Sequence, residues 1–236
     1  MATSGSTTWQ LTRNEFIAAA IRKLSRYDKT ASPDSFDYAN GAIAFNAVVA
    51  ELQTLGMQLW ARNEYTFSLT ANVGTYSIGV GQTLNTPFPL KLHQAVLIDT
   101  SGTRIDLRIE SVYEYNKYPT NSSGGVPVYV VYQPKINVGE LRFWPTPDTA
   151  TASTKTVKLV YQRPFEDFTA SGETADFPKE WHQTLIYKLA VALAPEYSVP
   201  LSDRQLLLQE AAAHEAIVTS FGGDDASIYF SPEYHG

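Results

Sequence analysis

The spacing of apolar residues near the N-terminus is that of α-helices. Thr12 and Glu15 have the spacing of a capping box, so a first helix is predicted from there to about Arg26. Ser32-Pro33 is predicted to open a second helix that ends near Trp60. The apolar stripe of this second helix consists of Phe45, Val48, Val49, Leu52, Leu55 and Leu59. The opening segment is therefore predicted to be a helical hairpin.

From Tyr65 onward the period of the pattern changes from 3.6 to 2, which is typical of strands that are buried on one face. Tyr65, Phe67 and Leu69 alternate with polar residues, and glycine-rich turns follow at intervals. The stretch from Tyr65 to Pro164 is thus predicted to contain six or more short strands.

The helical period returns after Asp176. Trp181, Leu185, Leu189 and Leu193 are spaced four residues apart, and Pro195 ends the run. A last helix is predicted from Leu201 to Gly222-Gly223. Its apolar face consists of Leu206, Ala213, Ile217 and Phe221.

These patterns predict an α+β fold in which terminal helical hairpins form a helix bundle with an inserted antiparallel β region and an extended C-terminal tail. The predicted parts are residues 1–62 (N-terminal hairpin), 63–170 (β domain), 171–222 (C-terminal hairpin) and 223–236 (C-terminal arm). In the bundle, Trp181, Leu185, Leu189 and Leu193 are expected to pack against Phe16, Ile21, Leu52 and Leu59.

Composition narrows the possible chemistry. The 236 residues include no cysteine, which excludes a disulfide scaffold, thiol catalysis and Cys-ligated metal sites. No apolar run reaches the length of a membrane span, and the first ten residues lack the pattern of a signal peptide, so the cytoplasm is the expected compartment.

Charge is unevenly distributed along the chain. The whole chain carries a net charge of −6, which argues against nucleic-acid binding through a basic surface. Residues 165–236 contain 12 acidic and 3 basic residues, a net charge of −9, which leaves a net charge of +3 on residues 1–164. The basic residues of the first helix, Arg13, Arg22, Lys23 and Arg26, either pair with acidic neighbours or form a solvated face.

No pattern of catalytic residues emerges. The four histidines (His93, His182, His214 and His235) lack metal-site spacing. Glu110 with Glu114, and Asp224 with Asp225, are carboxylate pairs of a kind common on any solvated surface. The sequence therefore predicts no catalytic residue, no metal and no cofactor.

Aromatic residues outside the regular strand pattern are the more informative feature. Tyr113, Tyr115 and Tyr118 either cap the β core or contact other chains, because tyrosine is enriched at protein interfaces. The C-terminal arm carries apolar and aromatic residues without helical period, which favours anchoring in a partner's pocket. The predicted anchors are Asp225, Ile228, Tyr229, Phe230 and Tyr234.

Several segments, taken in order, resemble the head-to-tail adaptor proteins of tailed bacteriophages, also called connectors, tail accessory factors or packaged-DNA stabilisation proteins. The resemblance covers the chain from Thr12 to Pro232. The segments are Leu141–Pro147, Tyr161–Phe168, Asp176–His182, Leu189-Ala190, Leu193–Tyr197 and Asp225–Phe230.

This resemblance implies a structural, non-enzymatic ring of twelve copies at the head–tail junction of a virion, assembled in the host cytoplasm. The implied partners are the portal protein and tail proteins, either a nozzle or hub or a tail-tube terminator, and no membrane contact is implied. The implied recipient of the C-terminal arm is either the portal ring or an adjacent adaptor subunit. Packaged double-stranded DNA would pass through the channel without specific binding, and Glu210 and Glu215 are candidates for its acidic wall. The alternative is a tail-associated protein that acts on glycans or peptidoglycan.

Overall fold

The structure is a computed structural model that describes residues 5, 7–24, 32–54, 59–119 and 124–221. The chain divides into two compact units. The helical unit consists of Met1–Leu59 and Phe165–Gly236, and the β unit of Trp60–Pro164. Six α-helices and nine strands lie in the described part of the chain.

In the helical unit, α1 (Arg13–Ile21) begins with the predicted capping box, which is confirmed: the Thr12 side chain accepts from the Glu15 N–H, and the Glu15 carboxylate accepts from the Thr12 N–H at 2.8 Å. The second helix, α2 (Ser35–Gln53), starts later than predicted. Its N-cap is Asp34, whose carboxylate accepts from the N–H groups of Phe36 and Asp37 at 2.8 Å, so Pro33 precedes the helix instead of opening it.

The other two helices of this unit are α5 (His182–Leu193), which follows a 3₁₀ turn (Lys179–Trp181), and α6 (Leu201–Phe221). Helix α5 packs against α1, α2 and α6. The predicted burial of Leu185, Leu189 and Leu193 is confirmed, since all three are fully buried. Phe16, Ile21 and Leu52 are buried as well, whereas the side chain of Leu59 lies outside the described part.

The β unit contains a curled seven-stranded sheet in the order β1-β9-β3-β4-β6-β7-β2. Its strands are β1 (Arg62–Ser68), β2 (Thr75–Ile78), β3 (Lys91–Asp99), β4 (Arg104–Glu110), β6 (Tyr129–Lys135), β7 (Val138–Trp144) and β9 (Lys155–Gln162). A separate pair is formed by β5 (Gly124–Gly125) and β8 (Thr146–Pro147). The unit also contains α3 (Val112–Tyr115) and α4 (Thr149–Thr154), and a 3₁₀ turn (Leu59–Ala61) leads into β1.

The predicted fold class is wrong. The protein is a mixed α/β protein dominated by the seven-stranded sheet, not a helix bundle with a small inserted β region. The physical reason is that all seven strands contribute to one hydrophobic cluster, with Phe143, Leu159 and Tyr161 among its fully buried members, so the sheet folds around its own core.

The prediction of an antiparallel β region is also wrong for one pair of strands in this sheet. Strands β4 and β6 run parallel, with Ile109 opposite Val130. The connection between them includes helix α3, and a crossover of this kind lets the next strand run in the same direction as the last.

The apolar face predicted on α6 is not the buried one, because Leu206 and Ile217 are 62% and 64% exposed. The residues that are buried instead are Leu207, Ala211 and Val218, about a third of a helical turn away.

Candidate interaction surfaces

The tyrosine segment after β4 is held by a short helix. The Ser111 hydroxyl accepts from the Glu114 N–H and caps α3, and Lys117 forms an ion pair with Glu114 at 2.7 Å. The ammonium group of Lys117 lies 4.5 Å from the ring centroid of Tyr113. Tyr113 is 73% exposed, so most of its ring is available to another molecule.

Tyr118, by contrast, packs against the outer side of the sheet. Its ring stacks on Trp144 with centroids 4.6 Å apart, and on Tyr129 with centroids 5.0 Å apart. Tyr129 and Trp144 are themselves directly opposite each other on β6 and β7. Burial, together with nearby Tyr129 and Glu110, raises the pKa of Tyr118, which therefore stays a neutral phenol.

Tyr115 joins the edge of this cluster, with its ring 6.3 Å from that of Tyr118 and the Arg142 guanidinium 6.0 Å from its centroid. The structure thus brings Tyr115 and Tyr118 together on the sheet and leaves Tyr113 on the surface. Tyr129 and Trp144 together form an aromatic platform on which Tyr118 stacks. Sequence reasoning missed this platform, because the pairing of Tyr129 with Trp144 depends on the register of β6 and β7.

The two acidic residues proposed for a channel wall have different surroundings. Glu210 is exposed on α6. Glu215 forms an ion pair with Lys188 of α5 at 3.0 Å, and both side chains are about four-fifths buried. The charge of Glu215 is therefore largely balanced within the subunit, whereas Glu210 presents its charge to solvent.

The predicted anchors of the C-terminal arm lie outside the described residues. This holds for Asp225, Ile228, Tyr229, Phe230 and Tyr234, and their role stays a prediction.

Helices α2 and α6 expose apolar residues that the sequence pattern did not single out as a surface. On α2, Phe36 and Ile43 are 69% and 73% exposed. On α6, Leu206 and Ile217 are similarly exposed. Exposed apolar residues that are grouped on one side of a helix are a feature of protein interfaces.

Two of the described histidines, His182 and His214, pack against other side chains. His182 is buried, its Nε2 lies 3.0 Å from the side-chain amide oxygen Oε1 of Gln10, and its ring contacts those of Trp9 and Phe16. Burial lowers the pKa of His182, so the ring is neutral near pH 7. His214 stacks on Tyr187 with centroids 4.9 Å apart.

Within the described ranges, no three His, Asp or Glu side chains are grouped so that they could hold a metal ion. Glu114, one of the carboxylates considered above, is paired with Lys117 and nearly half exposed. None of the helices in the described part is long and apolar enough to cross a membrane.

Comparison with known families identifies the class of protein. The model of the SU10 adaptor protein family matches residues 11–226, which include residues of both units. The chain therefore belongs to this family of phage head-to-tail adaptors, and the protein is a structural adaptor component of a bacteriophage virion. No curated protein matches the chain.

Proposed function

We propose that the protein forms a twelve-subunit ring that docks under the portal, continues the DNA channel and provides the platform for tail attachment. The observation that carries this proposal is the family match, which extends over both units instead of being confined to one. Assembly takes place in the host cytoplasm, and the ring is then part of the head–tail junction.

The charge distribution supports a channel role. Residues 165–236 carry 12 acidic and 3 basic residues, and the exposed Glu210 belongs to this segment. A wall that repels phosphates lets DNA pass, because each cation that contacts a phosphate adds to the affinity for DNA and slows its passage. Glu210 contributes more to such a wall than Glu215, whose charge is balanced by Lys188.

The C-terminal arm is the proposed contact with the portal. Ile228, Tyr229 and Phe230 follow one another in the sequence, and such a group offers concentrated apolar area to a receiving pocket. Asp224, Asp225 and Glu233 flank the group and set its register by pairing with basic residues at the rim of the pocket.

Tyr113 is the proposed contact with tail proteins. It is the most exposed of the three tyrosines, and Tyr115 and Tyr118 hold its segment on the sheet. Their roles therefore differ: Tyr113 supplies contact area, whereas Tyr115 and Tyr118 position it.

The experiment that tests the portal contact compares three proteins for co-sedimentation with purified portal rings of the same phage. They are the wild type, a variant that ends at Ala226, and a full-length control with Ser231→Ala. The wild type and the control are expected to sediment with the portal, and the truncated variant to stay in the supernatant with an unchanged circular dichroism spectrum. Portal binding by the truncated variant with unchanged affinity would exclude the arm as the anchor.

A further inference from the structure

Two turns of the β unit each carry an exposed aliphatic side chain at the apex. Ile136 lies in the two-residue turn between β6 and β7 and is 91% exposed. Val80 lies in the turn that follows β2 and is 79% exposed. Among the residues that the structure describes, no other large apolar side chain is as exposed as these two.

The two turns lie side by side. Strand β2 pairs with β7, and the first residue of β7 follows the Ile136 turn. A Cβ atom added to Gly79 would lie 3.4 Å from the carbonyl oxygen of Asn137. Val80 follows Gly79, and Ile136 precedes Asn137, so the two aliphatic residues belong to adjacent turns. We call Val80 and Ile136 the tip pair.

The fold itself does not require aliphatic residues at these positions. Two-residue hairpin turns favour Asn, Asp and Gly. Asn137 fits this preference with a φ of 60°, whereas Ile136 beside it is a β-branched residue. Residues that depart from a local preference without a gain inside the subunit are typical of functional sites.

The turn that carries Val80 is fixed by hydrogen bonds. The Gly81 N–H donates to Oδ1 of Asn85 at 2.9 Å. The Gln82 N–H donates to the carbonyl oxygen of Gly79 at 3.1 Å. Because the turn is already ordered, little conformational entropy is lost when its apex is buried against another molecule.

The surroundings of the tip pair are uncharged. No Asp, Glu, Lys or Arg occurs in residues 79–85 or 136–139. Lys135 precedes Ile136 and forms an ion pair with Glu140. Binding to DNA or to anionic lipid requires cations that meet phosphate groups. This uncharged surface therefore suits an apolar pocket of a protein better than either of them.

The tip pair lies at the same end of the sheet as Tyr113. Strands β4 and β6 run parallel, so their C-terminal ends lie at one end of the sheet. Tyr113 follows the end of β4, and Ile136 follows the end of β6. The tip pair is thus placed near the residue that is the proposed contact with tail proteins.

We propose that the tip pair inserts into an apolar pocket of a tail protein. The inference rests on the proposed function, in which this protein provides the platform for tail attachment. Two aliphatic side chains at adjacent apices form a convex surface, which fits a concave surface on the partner. Their burial removes apolar area from water, which favours association.

Substitutions at the tip pair test the insertion by pull-down with purified tail proteins of the same phage. Ile136→Asn and Val80→Asn are each expected to weaken tail binding by about tenfold or more, since about 1.4 kcal/mol of lost binding energy corresponds to tenfold. The melting temperature of Ile136→Asn is expected to equal or exceed that of the wild type, because Asn suits the turn. Normal tail binding by both variants would overturn the proposal.

Two variants serve as controls in the same pull-down. Ile136→Val keeps an aliphatic side chain and is expected to bind tail proteins like the wild type. Thr103→Asn changes an exposed residue that precedes β4, at the opposite end of that strand from Tyr113, and is also expected to bind normally. Equal losses from Thr103→Asn and Ile136→Asn would overturn the proposal.

A fluorescent label gives a second readout, because the sequence contains no cysteine and a single introduced one is labelled specifically. Acrylodan on Ile136→Cys is expected to shift its emission to the blue when tail proteins are added, whereas acrylodan on Thr103→Cys is not. Vesicles of phosphatidylcholine and phosphatidylglycerol are the comparison probe. A blue shift with vesicles but not with tail proteins would overturn the proposal in favour of a membrane contact.

The failures of the two proposals are distinguishable. If the wild type and both tip-pair variants bind tail proteins equally, the tip-pair contact is wrong and the adaptor function stands. If the labelled tip responds to tail proteins but no ring forms on portals, the contact stands and the proposed docking is wrong. A wild type that binds no tail protein would overturn both the contact and the platform for tail attachment.

Discussion

The ring of Tyr118 lies nearly parallel to the indole of Trp144, with an angle of 15° between the two planes and a centroid distance of 4.6 Å. Because the same ring also stacks on Tyr129, Tyr118 fastens the segment after α3 to the outer side of β6 and β7. One face of each platform ring is thus covered within the subunit.

Tyr118→Ala is accordingly expected to lower the stability of the β unit by about 1–3 kcal/mol, since each aromatic pair contributes about 0.5–1.5 kcal/mol beyond its buried area. Tyr118→Phe keeps both stacking contacts and is expected to cost much less. Denaturant unfolding followed by tryptophan fluorescence measures the difference. Equal losses from Tyr118→Ala and Tyr118→Phe would show that the hydroxyl, not the stacking, matters.

Tyr113→Ala is expected to leave stability nearly unchanged because the side chain is largely exposed. Because Tyr113 is the proposed contact with tail proteins, the same substitution is expected to weaken tail binding. A pull-down with the phage's tail proteins measures this binding. Thr103→Ala, at an exposed position of the same unit, serves as the control. Unchanged tail binding by Tyr113→Ala would remove this residue from the proposed contact.

Gly41 permits close packing of α2 on α1. A Cβ atom at Gly41 would lie 2.5 Å from Cγ2 of the fully buried Ile17, a branched side chain with little freedom to move. Gly41→Ala is expected to destabilise the protein by about 1–3 kcal/mol of overpacking, partly offset by about 1 kcal/mol from the better helix propensity of alanine.

The control for this substitution is Gly172→Ala, because a Cβ atom there would meet no atom within 4 Å. Thermal unfolding of the two variants separates the cost of overpacking at Gly41 from the general effect of replacing a glycine by alanine. A Gly41→Ala protein that is more stable than the wild type would mean that α1 and α2 can separate at low cost.

Leu189 is fully buried on α5, between the helices of the helical unit. Leu189→Ala is expected to cost about 2–5 kcal/mol, because the removed side chain leaves a cavity. Exposed Leu208 of α6 provides the comparison, and Leu208→Ala is expected to change stability by less than about 0.5 kcal/mol. Urea denaturation of both variants checks the prediction, and similar losses would contradict the assigned packing.

The burial of His182 predicts a dependence of stability on pH. Its pKa is lowered from the ordinary value of 6.5, mainly because the ring is buried, while Glu180 acts in the opposite direction. Nε2 lies within hydrogen-bonding distance of Gln10, and Nδ1 has no hydrogen-bond partner among the described groups, so a proton on Nδ1 would be buried without an acceptor.

Below about pH 6.5 the unfolded chain binds more protons at His182 than the folded chain does. The contribution of the neutral His182 to the free energy of unfolding is therefore fully present above that pH and decreases as the pH falls. Between about pH 7.5 and about pH 5.5, His182→Gln is expected to lose less stability than the wild type. Melting temperatures at both pH values measure this, with His214→Gln as the control. An unchanged pH dependence in His182→Gln would assign the effect to other groups.

Local signals in the sequence predicted local structure well. The spacing of Thr12 and Glu15 gave the capping box, and the four-residue spacing of Leu185, Leu189 and Leu193 gave the buried face of α5. Both features depend on residues that are close in the sequence. The strand content of the middle segment could likewise be predicted from its period of two.

Features that depend on distant residues could not be predicted. The pattern on α6 identified Leu206 and Ile217 as one apolar face but could not show that this face points to solvent, because core and interface residues have the same composition and spacing. The parallel pairing of β4 with β6 and the platform under Tyr118 depend on sheet order and register, which hydrophobic period does not encode.

The central claim is that this chain forms the adaptor ring under the portal. Electron-microscopic class averages of the protein mixed with purified portal rings of the same phage test it most directly. The account predicts a second ring, with twelve copies of the chain, coaxial with the portal and continuing its channel. Portal rings that show no added density at saturating protein concentration would contradict the account.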